Sequence, residues 1–406
     1  HSQLARTVAE LGIYGKGNNG HGRSLHILAT DLHYEIPGGL NPEQYEENPR
    51  QARPGSVDSR AAINYQNLLV GGRLYGPILN GTLRHETGIY ASANLFDHPF
   101  NIDHKRESNL GVGLRSVLKH EKTVRGLGQL ELAGGMEIQL AHKAARNYTP
   151  NEGSPGELNF IDDVDTHQVL FFVNGDLVLP NHWTFTIGLS GQQLRYQVDR
   201  TFDVEGSPGL LNSSFSWVIA PRISVAKKWF TGEVQYAAFA AYGRAYSPPT
   251  LSEFRTNEGS VNTDLEPAQG NSYEIGFRRQ SPTGFNVDLN VYVQRLGQSI
   301  TTFQDASGVQ LFRNAGGNNQ FGVELAISRE LLPTRKFAEH FINRLLVRVA
   351  YTLQNGTYRD YRPNDDDFSG QDLPGLTPHI FDVQLTLETK QNHYLRLGLH
   401  TSAETP

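Results

Sequence analysis

The chain has 406 residues, 36 Lys+Arg against 42 Asp+Glu for a formal charge of −6, 15 histidines, one methionine and no cysteine. The lack of cysteine excludes a disulfide framework and a Cys-ligated zinc or iron–sulfur site, and a pI near 6.2 without a Lys/Arg block leaves no electrostatic footprint for nucleic acid. The longest apolar runs, such as Val169–Val173, fall far short of the ~20 residues of a spanning helix, so the chain is a soluble all-β or mixed protein, or a membrane barrel with its apolar band on alternate residues.

The chain opens on His1 and its one methionine is Met136. It therefore reads as a processed chain or a fragment, and localisation has to come from the body of the sequence.

In chain order, a turn-like link at Lys16–Gly22 is followed by long polar links at Glu35–Ser59 and Asp97–Arg106, then by a short one at His120–Arg125. Leu130, Leu132, Met136, Ile138 and Leu140 next alternate with Gln129, Glu131, Glu137 and Gln139, which predicts a strand with one apolar and one polar face. Long links at Asn147–Asp163 and Asp199–Ser213 alternate with short ones at Pro180–His182 and Lys227–Gly232. The longest polar stretch, Arg244–Gly270, follows, and then a turn at Ser281–Gly284. In Phe285–Val293 the apolar set is Phe285, Val287, Leu289, Val291 and Val293, against Asn286, Asp288 and Asn290. Leu345, Val347, Val349, Tyr351 and Leu353 repeat the pattern, as do Phe381, Val383, Leu385 and Leu387. Between these last two lies the long link Gln354–Pro378, and a short link at Lys390–His393 comes last. No comparable window has i, i+3, i+4, i+7 apolar spacing, so helix content should be low.

Many segments alternate for ~10 residues or more, the length a tilted strand needs to cross a bilayer, whereas soluble strands usually run ~5–6. Alternate short and long links match an outer-membrane barrel with tight periplasmic turns and long external loops. The expectation is an all-β antiparallel transmembrane barrel of roughly sixteen strands, with no linker dividing residues 1–406.

Four segments carry a resemblance: YGRAYSPPTLSEF (Tyr242–Phe254), NTDLEPAQGNSYEIGFR (Asn262–Arg278), FRNAGGNNQFGVELAIS (Phe312–Ser328) and LPGLTPHIFDVQLTL (Leu373–Leu387). In this order the chain resembles the barrel of TonB-dependent outer-membrane receptors, and IPGGLNPEQYEENPRQARP (Ile36–Pro54) is similar to an external loop of iron-chelate members. Ala268 stands where family members commonly have glutamate. The residues also have a constructional reading. Pro248 and Pro249 cannot donate to a ladder, so the strand ending near Tyr246 opens into a loop. Asn314-Ala315-Gly316-Gly317 supplies turn chemistry before Phe321–Ile327.

The resemblance implies a barrel of about 22 strands around an N-terminal plug. On that scheme this chain lacks the plug and TonB box and about three strands at each end. It further implies import of an iron chelate driven by the TonB–ExbB–ExbD complex through the plug, in the Gram-negative outer membrane, by a monomer in contact with lipid and lipopolysaccharide. No cofactor is implied. The G-x-S-x-G, Walker A, H-E-x-x-H and dinucleotide fingerprints are all absent, so no enzyme is expected.

The candidate ligand contacts are Tyr45, Arg50 and Arg53 of Glu35–Ser59, able to stack on a chelate and pair with its carboxylates. Pro42, Pro49 and Pro54 limit the entropy lost on ordering that loop. The same arginines equally suit neighbouring loops or lipopolysaccharide phosphates. Tyr246 and Arg255 are further candidates. His98 and His104 with Asp103, and the run Asp365-Asp366-Asp367, read better as solvated loop residues than as metal sites, because neither has a standard ligand spacing. Two rival readings remain open: a passive porin, since sixteen is itself a porin number, and a soluble β-rich binding protein.

Overall fold

The structure, a computed structural model, describes residues 3–204, 206, 208–256, 260–282, 284–304, 310–314, 316–332, 340–362 and 366–405. The chain runs up and down through β1 (Leu4–Lys16), β2 (Gly22–Glu35), β3 (Ala62–Ile78), β4 (Leu83–Pro99), β5 (His104–Val124), β6 (Gly128–Asn151), β7 (Ser154–Val178), β8 (Trp183–Asp203), β9 (Gly209–Thr231), β10 (Val234–Ser247), β11 (Ala268–Gln280) and β12 (Phe285–Gly297). A separate hairpin of β13 (Ile300–Gln304) and β14 (Gln310–Asn314) interrupts it before β15 (Asn318–Leu332), β16 (Ile342–Tyr358), β17 (His379–Thr389) and β18 (Tyr394–Ser402). Apart from the hairpin these strands form one antiparallel sheet of 16, each bonded to its chain neighbours. The expected strand number and topology are therefore what the backbone adopts. Among the described residues helix is confined to α1 (Pro42–Glu47), α2 (Pro54–Asp58), α3 (Leu251–Phe254) and one 3-10 turn, Leu79–Gly81.

Register turns the alternation of single strands into a continuous belt. Val291 lies opposite Ile275 and Val323, Val323 opposite Leu353, Val349 opposite Val383, and Val383 opposite Leu399. On this outward face Ile187 and Ile275 are 65% and 66% exposed, as suits contact with hydrocarbon rather than water. Rings gather along the belt: Trp229 stacks on Tyr236 at 5.5 Å, Phe171 on Trp217 at 5.9 Å, and Tyr242 meets Tyr273 at 5.2 Å. The other face is polar and cross-linked between strands, with Arg115 on Glu137 at 2.7 Å and Arg73 on Glu86 at 3.1 Å. Large rings also fit on that inner wall because glycine faces them across the ladder. A Cβ at Gly113 would fall within the Tyr90 ring, and one at Gly322 within the Tyr292 ring.

Three of the six long links are mostly ladder. The chain stays paired through Pro99 and from His104, so only 100–103 lie between β4 and β5. β6 and β7, of 24 and 25 residues, meet in a turn at Glu152 and Gly153, both with positive φ. β8 and β9 shorten the link expected over Asp199–Ser213 to 204–208. Beyond the belt the outer face turns polar, as at Arg195, Gln197 and Asp199, so the apolar-out pattern ends while the backbone goes on pairing. Long connections persist at 36–61, 248–267 and 359–378, and a fourth, 298–317, carries the β13–β14 hairpin.

β1 pairs only with β2, and β18 only with β17. The sheet therefore has two free edges among the described residues. Both are rich in exposed apolar side chains, such as Leu11 and Ile13 on β1 and Leu395, Leu397 and Leu399 on β18.

Candidate functional site

A buried apolar cluster lies on the inner wall at the long-loop end. Val164 of β7, Leu194, Tyr196 and Val198 of β8 and Phe215 of β9 surround Phe254 of α3, which is fully buried. A bulge puts Phe215 there. Gln192 pairs with Val218 but Leu194 pairs with Phe215, so Phe215 turns inward while Trp217 faces the belt and stacks on Phe171. The connection after β10 thus folds inward as a strap. Pro248 and Pro249 end the ladder, and Thr250 and Glu253 cap α3 reciprocally, with Thr250 N–H donating to Glu253 Oε2 at 2.6 Å. Tyr196 stacks on Phe254 at 5.4 Å and its hydroxyl donates to the Pro249 carbonyl at 3.0 Å.

Charge fixes the strap as firmly as packing does. Asp162 of β7, with no exposure, accepts from Arg255 Nε at 2.6 Å and from Arg200 Nε and Nη2 at 2.7 and 3.0 Å. Arg200 also donates to Asp203 at 2.9 Å, and both guanidinium groups lie over the Phe160 ring. A carboxylate with two cations and three hydrogen bonds offsets its own desolvation.

Between this strap and the inner wall of β3–β6 lies a cavity of about 540 Å³, lined by Tyr65, Phe96, His98, Lys105, Lys143 and Ser252 among others. Lys143 pairs with Glu107 at 2.6 Å and Lys105 with Asp103 at 3.3 Å. Three cations, Lys105, Lys143 and Arg255, and one carboxylate, Glu107, face the cavity, whereas Asp103 and Asp162 do not line it. His98 Nε2 is buried without a hydrogen-bond partner. A second recess of about 720 Å³ lies on the inner wall toward the short turns, among Arg278, Asp288, Arg348, Asp382 and Gln384.

The expected contact residues separate into two groups. Tyr45 rides on α1, 62% exposed, on a helix begun by Asn41 and Pro42 and closed by the reciprocal Asn41–Gln44 cap. Arg50 and Arg53 are exposed and have no ion pair among the described residues. Arg255, by contrast, is 6% exposed and committed to Asp162, and Tyr246, opposite Gln269, buries its hydroxyl without a partner. No hydrogen bond or ring contact among the described residues joins the two groups. His104 Nε2 meets Asp97 at 2.8 Å, and Asp103 accepts from Asn147 at 2.7 Å, so these side chains tie the rim together. Among the described residues no group of three or more His, Cys, Asp and Glu side chains is placed to hold a metal ion. Asp365 lies outside the described residues, as does Ala315 of the glycine-rich turn. Asp367 takes the Ser369 N–H at 2.9 Å and Arg362 at 3.1 Å, and these, Ser369 first, hold its carboxyl below the ordinary range.

Asp162, Phe254, Lys105 and Lys143 escaped the sequence reading. The signal that could have revealed structure in the strap is the T-x-x-E capping pattern at Thr250–Glu253, which the sequence reading did not use.

An outward apolar belt, a polar inner wall and loops gathered at one end define a membrane receptor barrel, and a family model described as TonB dependent receptor-like, beta-barrel matches residues 17–401. The chain belongs to that family, whose members are receptors of the Gram-negative outer membrane rather than enzymes. Among solved structures it is similar to the ferric citrate transporter FecA in its unliganded form, with TM-score 0.76 and 12% identity over 99% of this chain and 58% of that one. It is also similar to the ferric-catecholate import receptor Fiu from K12 E. coli in a closed form (TM-score 0.68, 13% identity, 98% and 64%) and to the copper transporter OprC (TM-score 0.67, 12% identity, 95% and 56%). At such identities the likeness is one of fold, and the chain spans about three-fifths of these proteins' length.

Proposed function

We propose that residues 1–406 are barrel-forming sequence of an outer-membrane receptor that takes up a ferric siderophore or related iron chelate, driven by the TonB–ExbB–ExbD complex through a plug. The observation that carries the ligand class is the cavity beneath the strap, where three cations face one carboxylate beside the rings of Tyr65 and Phe96. Iron chelates are commonly anionic and rich in oxygen, and FecA is a ferric citrate transporter and Fiu a ferric-catecholate import receptor. Tyr45, Arg50 and Arg53 on the exposed rim would make first contact, with Tyr246 and Arg255 contributing deeper in. No covalent step is needed: the barrel binds, orients and encloses.

Intrinsic fluorescence titration of the complete protein with ferric citrate and ferric siderophores tests this. Charge-assisted hydrogen bonds are worth ~1.5–3 kcal/mol, so the Lys105→Ala and Lys143→Ala variants should each weaken binding about tenfold or more. Unchanged affinity in both would reject the assignment of the cavity. The inward strap is also what a passive pore would use as a constriction, and liposome swelling by small sugars would favour that reading. The free edges of the sheet speak against a closed sixteen-stranded pore.

A further inference from the structure

Three of the outer connections are stitched together by hydrogen bonds. Asn262, at the far end of the strap, takes a backbone bond from its own N–H to the Phe254 carbonyl at 2.9 Å and donates Nδ2 to the Phe312 carbonyl of β14 at 2.8 Å. Asn314, at the base of the β13–β14 hairpin, accepts the Glu266 N–H at 2.7 Å and donates to the Glu266 and Gln298 carbonyls at 2.7 and 3.0 Å. Gln298 closes the ring by donating to Glu266 Oε2 at 3.0 Å. Beyond it, Arg359 N–H donates to the Gly317 carbonyl at 2.7 Å, and Gly317 N–H donates to Asp360. The strap itself is held in the lumen by Phe254 and by Arg255 on Asp162.

We propose that Asn262 and Asn314 form a latch that couples the β13–β14 hairpin to α3, so that hairpin and strap open and close as one body. Asn314 spends its carboxamide on two connections at once. An asparagine used only to shape its own turn would bond within that turn, whereas Asn314 reaches Glu266, 48 residues away. The hairpin therefore cannot swing outward without pulling on 262–266, and 262 is bonded to the C-terminal residue of α3. Because Leu251, Ser252 and Arg255 line the cavity, a disturbance at the hairpin changes one wall of that cavity without touching it directly. The coupling does not depend on which ligand the receptor carries.

Hydrogen exchange read by mass spectrometry on the complete protein in detergent tests the latch. Asn314→Ala removes three hydrogen bonds from exposed backbone, so exchange should rise about tenfold in peptides covering 298–304 and 310–314 and also in those covering 251–256 and 260–266. Peptides from β6 and β7 should not change. Asn314→Asp, whose carboxylate still accepts the Glu266 N–H but sets a negative charge against the Glu266 and Gln298 carbonyls, should also raise exchange in the same two regions. Phe254→Ala, cut at the other end, should raise exchange in the hairpin as well. If Asn314→Ala raises exchange in the hairpin alone, or in neither region, the coupling does not exist.

Discussion

Asp162 has two guanidinium groups against it and no solvent exposure, and its neighbour Asp163 takes the opposite face of β7. Replacing Asp162 by alanine leaves Arg255 buried without its carboxylate and Arg200 with Asp203 in place of two acids, which costs ~3–5 kcal/mol. The temperature at which the complete protein loses its fast-migrating band on an unheated gel should fall accordingly; an unchanged temperature would mean that the strap contributes nothing to stability. Sequence alone could place Asp162 and Val164 on one face but could not say that this face was dry there. The partner that makes the burial tolerable, Arg255, is 93 residues away. The expectation for Arg255 as a ligand contact arose from its position in an external loop, and the same loop turned inward puts its guanidinium against the wall. Tyr45, Arg50 and Arg53 were legible as an exposed group because Asn41-Pro42-Glu43-Gln44 and the following prolines fix that loop locally.

Belt residues obey a rule that depends on face. Ile187→Arg, in the outward row of β8, should cost ~2–4 kcal/mol near the bilayer midplane, whereas Ser190→Arg on the inner face of the same strand should be nearly neutral. Denaturant-dependent folding into lipid vesicles would separate the two, and equal costs would contradict the assignment of faces. That assignment was legible because a strand with hydrocarbon on one side and water on the other must alternate. It ceased to be legible where the outer face leaves the hydrocarbon and becomes polar, which is why β4–β9 extend past the expected links. It also failed at the β9 bulge, where Phe215 and Trp217 share parity in the sequence but lie on opposite faces.

For the whole molecule, the sheet's two free edges matter most. Unpaired N–H and C=O groups on β1 and β18 would be left in hydrocarbon, where each costs several kcal/mol. Expressed by itself, the 406-residue chain should refold poorly into detergent and give dimers and larger species through these edges. A compact monomeric band that unfolds on heating would show instead that the edges find each other. Strand number, topology and family followed from periodicity and four motifs in order. The inward strap and the latch did not, since both depend on contacts between segments far apart in sequence.

The most direct test of the central claim is uptake of radiolabelled iron, as citrate and siderophore complexes, by cells whose only such receptor is the complete protein, with and without a working TonB. An energised receptor predicts saturable uptake that disappears when TonB is removed. Uptake that persists without TonB and rises linearly with concentration would identify a passive pore and contradict the account.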